Sequence, residues 1–115
     1  MKKILIVDSS AASRATTEII LSTSFETFCA ATGEQAVEIF RTQNPDAVLS
    51  QVWLADMMGV ELLKKFRATF GEKIPFVFTG DDSDEVKTLD NGAADFIREP
   101  FAPEILICRL EKILT

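Results

Sequence analysis

The chain has 115 residues, 47% of them hydrophobic and 26% charged, with a formal net charge of -6. That length is one domain, able to bury roughly two-thirds of its unfolded surface, and the acidic balance argues against sequence-independent nucleic-acid binding, which needs a basic face. Histidine is absent, which removes imidazole acid–base chemistry and His metal ligation.

Cys29 and Cys108 lie far apart and read as reduced thiols in or near the core, not as a disulfide. The first apolar run, Ile4 to Val7, is much too short for a signal peptide or a membrane span. The reading is therefore a cytoplasmic chain with no membrane association.

Ile4-Leu5-Ile6-Val7 is rich in β-branched residues and reads as a buried central strand ending at Asp8. Ser9 or Ser10 caps a helix that runs to about Ser22 or Ser24, with Ala15, Ile19 and Ile20 on one face. Phe25 to Ala30 is a second strand. Thr32-Gly33-Glu34 turns into a helix with Ala36, Val37 and Phe40 inward and Glu34, Glu38 and Arg41 outward. Asn44-Pro45-Asp46 stops it.

Ala47 to Leu49 is the third strand, an apolar run that stops at Ser50-Gln51. Gly59 to Phe70 carries Leu62, Leu63, Phe66 and Phe70 at helical spacing, and Gly71 ends it. Phe76-Val77-Phe78-Thr79 is the fourth strand, followed by the polar loop Gly80-Asp81-Asp82-Ser83. The next helix, Asp84 to Asp90, offers only Val86 and Leu89 as inward anchors. Ala94 to Ile97 is a short last strand, and Pro103 to Leu114 a final helix opened by proline. Five strands alternating with five helices predict a parallel sheet with right-handed crossovers.

In such a sheet, ligands bind in the crevice outside the carboxyl ends of the strands. Those ends present Asp8 and Ser9, then Gln51 with Trp53, then Thr79-Gly80, then Arg98-Glu99-Pro100. Gln51 brings an amide to the central position, where it is no nucleophile and a poor ligand for a hard cation.

Ile4 to Asp8, Arg14, Pro45 to Ser50, Gly59 to Leu63, Pro75 to Gly80, Gly92 to Ile97 and Pro100-Phe101 together resemble the receiver domain of bacterial response regulators. The resemblance covers the whole chain. It implies a flavodoxin-like (βα)5 fold, a three-layer α/β sandwich with strand order 2-1-3-4-5, and a single receiver-like domain over residues 1–115, either alone or as the N-terminal part of a longer protein. In that family an acidic pair after strand one and an aspartate at the end of strand three bind Mg²⁺, and the latter accepts a phosphoryl group. A Thr or Ser after strand four and a Lys before the strand-five Pro contact that group, and an aromatic residue on strand five responds.

Thr79 and Phe96 match the hydroxyl and aromatic switch positions, and Pro100 is a candidate for a cis bond by the same resemblance. The acidic-pocket remnant is Asp8 with Ser9, the phospho-acceptor position holds Gln51, and the Lys position holds Glu99. Trp53 stands where the family uses a main-chain carbonyl, and its indole is expected to cover the crevice. A dianionic phosphoryl group beside Asp8 and Glu99 would meet like charge, at a cost of a few kcal/mol for an effective dielectric of about 20. These departures imply a pseudo-receiver with no catalytic residue and with Mg²⁺ binding weak or absent.

The expected function is a phosphorylation-independent regulatory module in two-component-type signalling. It docks to a protein partner or an attached output domain, or forms a homodimer, through the fourth helix, last strand and last helix. There the final helix carries Ile105, Leu106, Ile107, Leu110, Ile113 and Leu114. One alternative keeps phosphorylation or metal binding at a non-standard site, with Asp56, Ser50 or Ser9 as acceptor. Another is a flavodoxin-like cofactor binder, which the glycine-free Asp8 to Ser13 loop disfavours.

Overall fold

The alternation of apolar runs and amphipathic segments closes into five parallel strands with helices on both faces. This is the arrangement of a computed structural model, which describes residues 1–71 and 73–115. The strands are β1 (Lys3–Val7), β2 (Glu26–Ala30), β3 (Ala47–Gln51), β4 (Phe76–Gly80) and β5 (Asp95–Arg98). The helices are α1 (Ala11–Leu21), α2 (Gly33–Gln43), α3 (Gly59–Phe70), α4 (Glu85–Asp90) and α5 (Pro103–Leu114), with a 3-10 turn at Asp82–Asp84 before α4. Strand order is β2-β1-β3-β4-β5, as the resemblance implies. The order reverses at β1, which lies between β2 and β3, so the crevice opens beyond the carboxyl ends of β1 and β3.

Strand alternation divides the core. Leu5, Val7, Val48, Phe76 and Phe78 point to one face, where Phe40, Leu62, Leu63 and Phe66 meet them. Ile4, Ile6, Leu49, Val77 and Ile97 point to the other, against Leu21, Leu106 and Leu110. On the first face the Phe66 ring meets Phe40 and Phe76 edge-on, each at 5.0 Å between centroids.

Local chemistry sets the helix ends. Ser10 caps α1, its Oγ accepting from the Ser13 N–H, and Thr32 caps α2 by accepting from Gln35 N–H. Asn44 closes α2 at φ 50°, and Gly71 closes α3 at φ 93°, both in the left-handed region.

Three sequence expectations need correction. In α1 the buried residues are Thr17 and Leu21, an i, i+4 pair, and Ile20 packs partly against the core as expected, while Ala15 faces solvent and Ile19 is 71% exposed. The Ser10 cap and a bond from Arg14 Nη1 to the Asp8 carbonyl (2.7 Å) fix this rotation. In α4 the buried anchor is Thr88, with Val86 and Leu89 pointing outward. Thr88 can be buried because its hydroxyl donates to the Glu85 carbonyl one turn back, at 3.0 Å.

Cys108 is exposed, on the side of α5 away from Leu106 and Leu110, while Cys29 is half-buried. The α5 stripe is mostly core, since Leu106 and Leu110 are fully buried and only Ile105, of its apolar members, is open to solvent. Among the described residues no helix is long and apolar enough to cross a membrane.

Candidate functional site

Asp8 follows β1 directly and is only 4% exposed. A carboxylate so placed must be hydrogen-bonded, and it is. Oδ1 accepts from the Ser10 N–H at 2.9 Å, and Oδ2 accepts from the Ser13 hydroxyl at 2.5 Å. Gln51 is the last residue of β3 and is paired in register with Thr79 of β4. Gly59 makes the approach of α3 to this strand end possible: a Cβ there would lie 2.5 Å from Phe78 Cε1 and 2.7 Å from the Gln51 carbonyl oxygen.

The Gln51 amide nitrogen sits between three acceptors. It lies 3.1 Å from Thr79 Oγ1, 3.3 Å from Glu99 Oε2 and 3.4 Å from Asp8 Oδ2. Two of these partners are carboxylates, which only accept, so the NH₂ end of the amide must face them. With fewer hydrogens than acceptors, one N–H is shared. The sequence shows that Gln51 cannot act as an acid or nucleophile; it does not show that the amide draws Asp8, Thr79 and Glu99 together.

Thr79 and Phe96 are both buried, at 3% and 2% exposure. Glu99 is exposed, its backbone N–H bonds the Gly80 carbonyl at 2.9 Å, and the Glu99–Pro100 peptide is cis. Arg98 turns away from the crevice and pairs with Asp82 at 3.1 Å.

Ser9 points to the opposite side of the crevice. Its Oγ donates to the Ala31 carbonyl and accepts from the Ala55 N–H, both at 2.8 Å. The indole of Trp53 is not packed down as a lid: it is 67% exposed. It forms one wall of an open hollow of about 390 Å³ shared with Gln51, Gly80, Asp81, Asp84 and Glu99.

The alternative acceptors have structural partners. The Asp56 carboxylate accepts from the backbone N–H groups of Gly33 (2.9 Å) and Glu34 (3.1 Å), at the start of α2. Burial would raise its pKa, but these two bonds, with the nearby charge of Lys65, outweigh it and hold the carboxyl below its ordinary value. Ser50 is 1% exposed and donates to the Gln51 carbonyl. Ser13 and Asp56 are the residues sequence reasoning undervalued. The only available signal was a serine in the first turn of a helix facing a strand-end acid, and an aspartate in a loop at a strand end.

The residues present do not suit Mg²⁺, which wants octahedral oxygens with one or two carboxylates among them. Asp8 is the only acid directly after β1, Ser9 in the next position is no carboxylate and faces elsewhere, and Gln51 presents N–H rather than oxygen toward Asp8. Among the described residues no group of three or more His, Cys, Asp or Glu side chains is placed to hold a metal ion.

Comparison with known proteins gives the family of the fold. The Response regulator receiver domain family matches residues 4–111. The chain is similar to Response regulator MprA of Mycolicibacterium vanbaalenii, 34% identical over 116 residues, covering 97% of this chain and 50% of that protein. It is also similar to DNA-binding response regulator MtrA of Mycobacterium tuberculosis, 33% identical over 111 residues, covering 95% of this chain and 49% of that protein. The chain thus spans about half the length of the curated relatives it matches.

Among solved structures, chemotaxis response regulator CheY4 of Vibrio cholerae superimposes with a TM-score of 0.89 at 27% identity, over 99% of each chain. NtrX of Brucella abortus gives 0.89 at 30% identity, over 97% of this chain and 26% of that one.

Proposed function

This chain belongs to the response regulator receiver domain family, and from that premise we propose that it is a pseudo-receiver: a signalling module whose output does not depend on phosphorylation. The observation that carries the reading is the Gln51 amide, which stands at the acceptor position and donates toward Asp8, Thr79 and Glu99. An amide at this point forms no acyl phosphate, and Glu99 adds negative charge where an incoming phosphoryl group needs a cation. Ser9 in place of a second acid takes away another oxygen ligand. A single substitution could be a simple knock-out. Departures at Ser9, Gln51 and Glu99 around one crevice, with every buried strand intact, read as a different way of working.

The module acts by docking to a protein partner, an attached output domain or a second copy of itself, and it uses no metal cofactor. Support for the docking face comes from α4, β5 and α5. Val86, Leu89 and Ile105 are exposed there, at 69%, 41% and 45%, beside the Arg98–Asp82 and Arg109–Asp95 ion pairs. Exposed apolar side chains framed by paired charges are the usual composition of a protein-binding patch. DNA binding by the relative MtrA belongs to that protein's own description; the acidic balance here points to an output lying outside this domain.

Incubation with acetyl phosphate and Mg²⁺, followed by intact mass measurement, tests the reading. No gain of a phosphoryl group is expected. Stoichiometric, Mg²⁺-dependent gain would sink it, and peptide mapping would then name the acceptor.

A further inference from the structure

The crevice contains a donor–acceptor arrangement that neither a degenerate site nor a simple loss of phosphorylation requires. Gln51 ends β3, and its three partners come from three other places: Asp8 after β1, Thr79 on β4, and Glu99 in the connection from β5 to α5. One side-chain NH₂ therefore touches every strand end that borders the crevice.

Polarity matters more than the count of contacts. The receiver resemblance implies an acid at position 51 and an ammonium at position 99. This chain has a neutral donor at position 51 and a carboxylate at position 99, 3.3 Å apart. Donor and acceptor have changed places across the cleft, and a hydrogen bond between them survives.

We infer that Gln51 and Glu99 form an exchanged donor–acceptor clasp that takes the place of a bound cation and holds the strand ends around the crevice in a single arrangement. The clasp is written into the sequence rather than supplied by a ligand. It gives Asp8 and Glu99, two carboxylates near each other, a common hydrogen-bond donor. It fixes the Thr79 hydroxyl by the same atom. It also supports the backbone bond from Glu99 N–H to the Gly80 carbonyl, which ties the β5–α5 connection to the end of β4. The arrangement of the strand ends is then constant and needs no ligand to hold it. The inference rests on the pseudo-receiver reading, because a phosphoryl group entering the crevice would displace the clasp.

A double-substitution cycle on the whole chain tests it. Gln51→Asp removes the donor and adds a third carboxylate beside Asp8 and Glu99, so the urea midpoint should fall markedly. Adding Glu99→Lys to that variant restores one donor facing one carboxylate with the polarity reversed, and should recover most of the fall. Such recovery is non-additivity of the kind directly contacting residues show. An additive cycle, or a midpoint indifferent to Gln51→Asp, overturns the clasp.

Should Gln51→Asp fail to fold, Gln51→Leu provides the readout. Exchange of the Glu99 backbone amide, hydrogen-bonded in the parent, should quicken by about tenfold, the scale of one lost charge-assisted hydrogen bond. Unchanged exchange overturns the inference. Phosphoryl labelling of the parent chain at any residue of the crevice would instead overturn the pseudo-receiver reading and the clasp with it. An additive cycle without labelling would overturn the clasp alone.

Discussion

The interior of the sheet and the crevice at its carboxyl ends are made by the same strands, yet they hold together differently. Inside, stability is spread over many interchangeable apolar contacts: Leu5, Val7 and Val48 on one face, Ile4, Ile6 and Leu49 on the other, with Phe66 and Leu106 closing the helical layers. In the crevice, a few polar groups hold specific partners: Asp8 takes Ser10, Ser13 and Gln51, Ser9 takes Ala31 and Ala55, and Gln51 takes Asp8, Thr79 and Glu99. The difference shows how a receiver can keep its fold while its chemistry is exchanged. Burial tolerates variation as long as volume and pattern are kept, whereas donor and acceptor identities decide what the strand ends can bind.

That comparison can be broken from either side. Phe66→Ala should cost about 3–5 kcal/mol in urea denaturation, since the ring is fully buried and meets Phe40 and Phe76 edge-on. A loss below about 1 kcal/mol would mean that the interior is less tightly packed than this geometry requires.

Asp56→Asn should cost about 1 kcal/mol by weakening the cap on α2. The sign with pH follows from its lowered pKa. The carboxylate's contribution is fully present above its ordinary value of 3.8 and is lost as pH falls through the lower folded-state value. The difference between parent and variant should therefore be constant at neutral pH and shrink in acid; growth in acid would contradict the assignment. The smallest effect belongs to the surface. Arg98→Ala should change stability by no more than about 0.5 kcal/mol, because its pair with Asp82 is largely solvated.

Cysteine labelling separates buried from exposed chemistry in the same spirit. Burial, with the effect of the nearby Glu18 carboxylate added, pushes the Cys29 thiol up to about 11, against a smaller opposing effect of Arg14. Exposed Cys108 should therefore alkylate first at pH 8 to 9. Equal rates would show that Cys29 is not shielded as described.

How much of this was legible in the sequence differs between the two regions for a physical reason. Unbroken apolar runs such as Ile4 to Val7 specify a strand buried on both faces, and their alternation with helical patterns specifies the sheet. Helix α2 reads correctly because Ala36, Val37 and Phe40 repeat at helical spacing. Helix α4 does not, because a buried Thr that bonds its own backbone carries no apolar signal, while Val86 and Leu89 carry one and face water.

In the crevice, the strand ends and the departures at Ser9, Gln51 and Glu99 were readable by position. What the Gln51 amide touches was not, because hydrogen-bond partners separated by 28 to 48 residues follow from register and loop path rather than from local pattern. The outward indole of Trp53 was missed for the same reason.

The most direct measurement of the central claim is the side-chain NH₂ signal of Gln51 in a ¹⁵N-correlated NMR spectrum, assigned by its loss in Gln51→Leu. As MgCl₂ and beryllofluoride are titrated in, that signal should keep its position, with both protons slowed in exchange by the contacts to Asp8, Thr79 and Glu99. A saturable shift of the Gln51 resonances would show that a cation or phosphoryl mimic enters the space assigned to the amide, and would contradict the account.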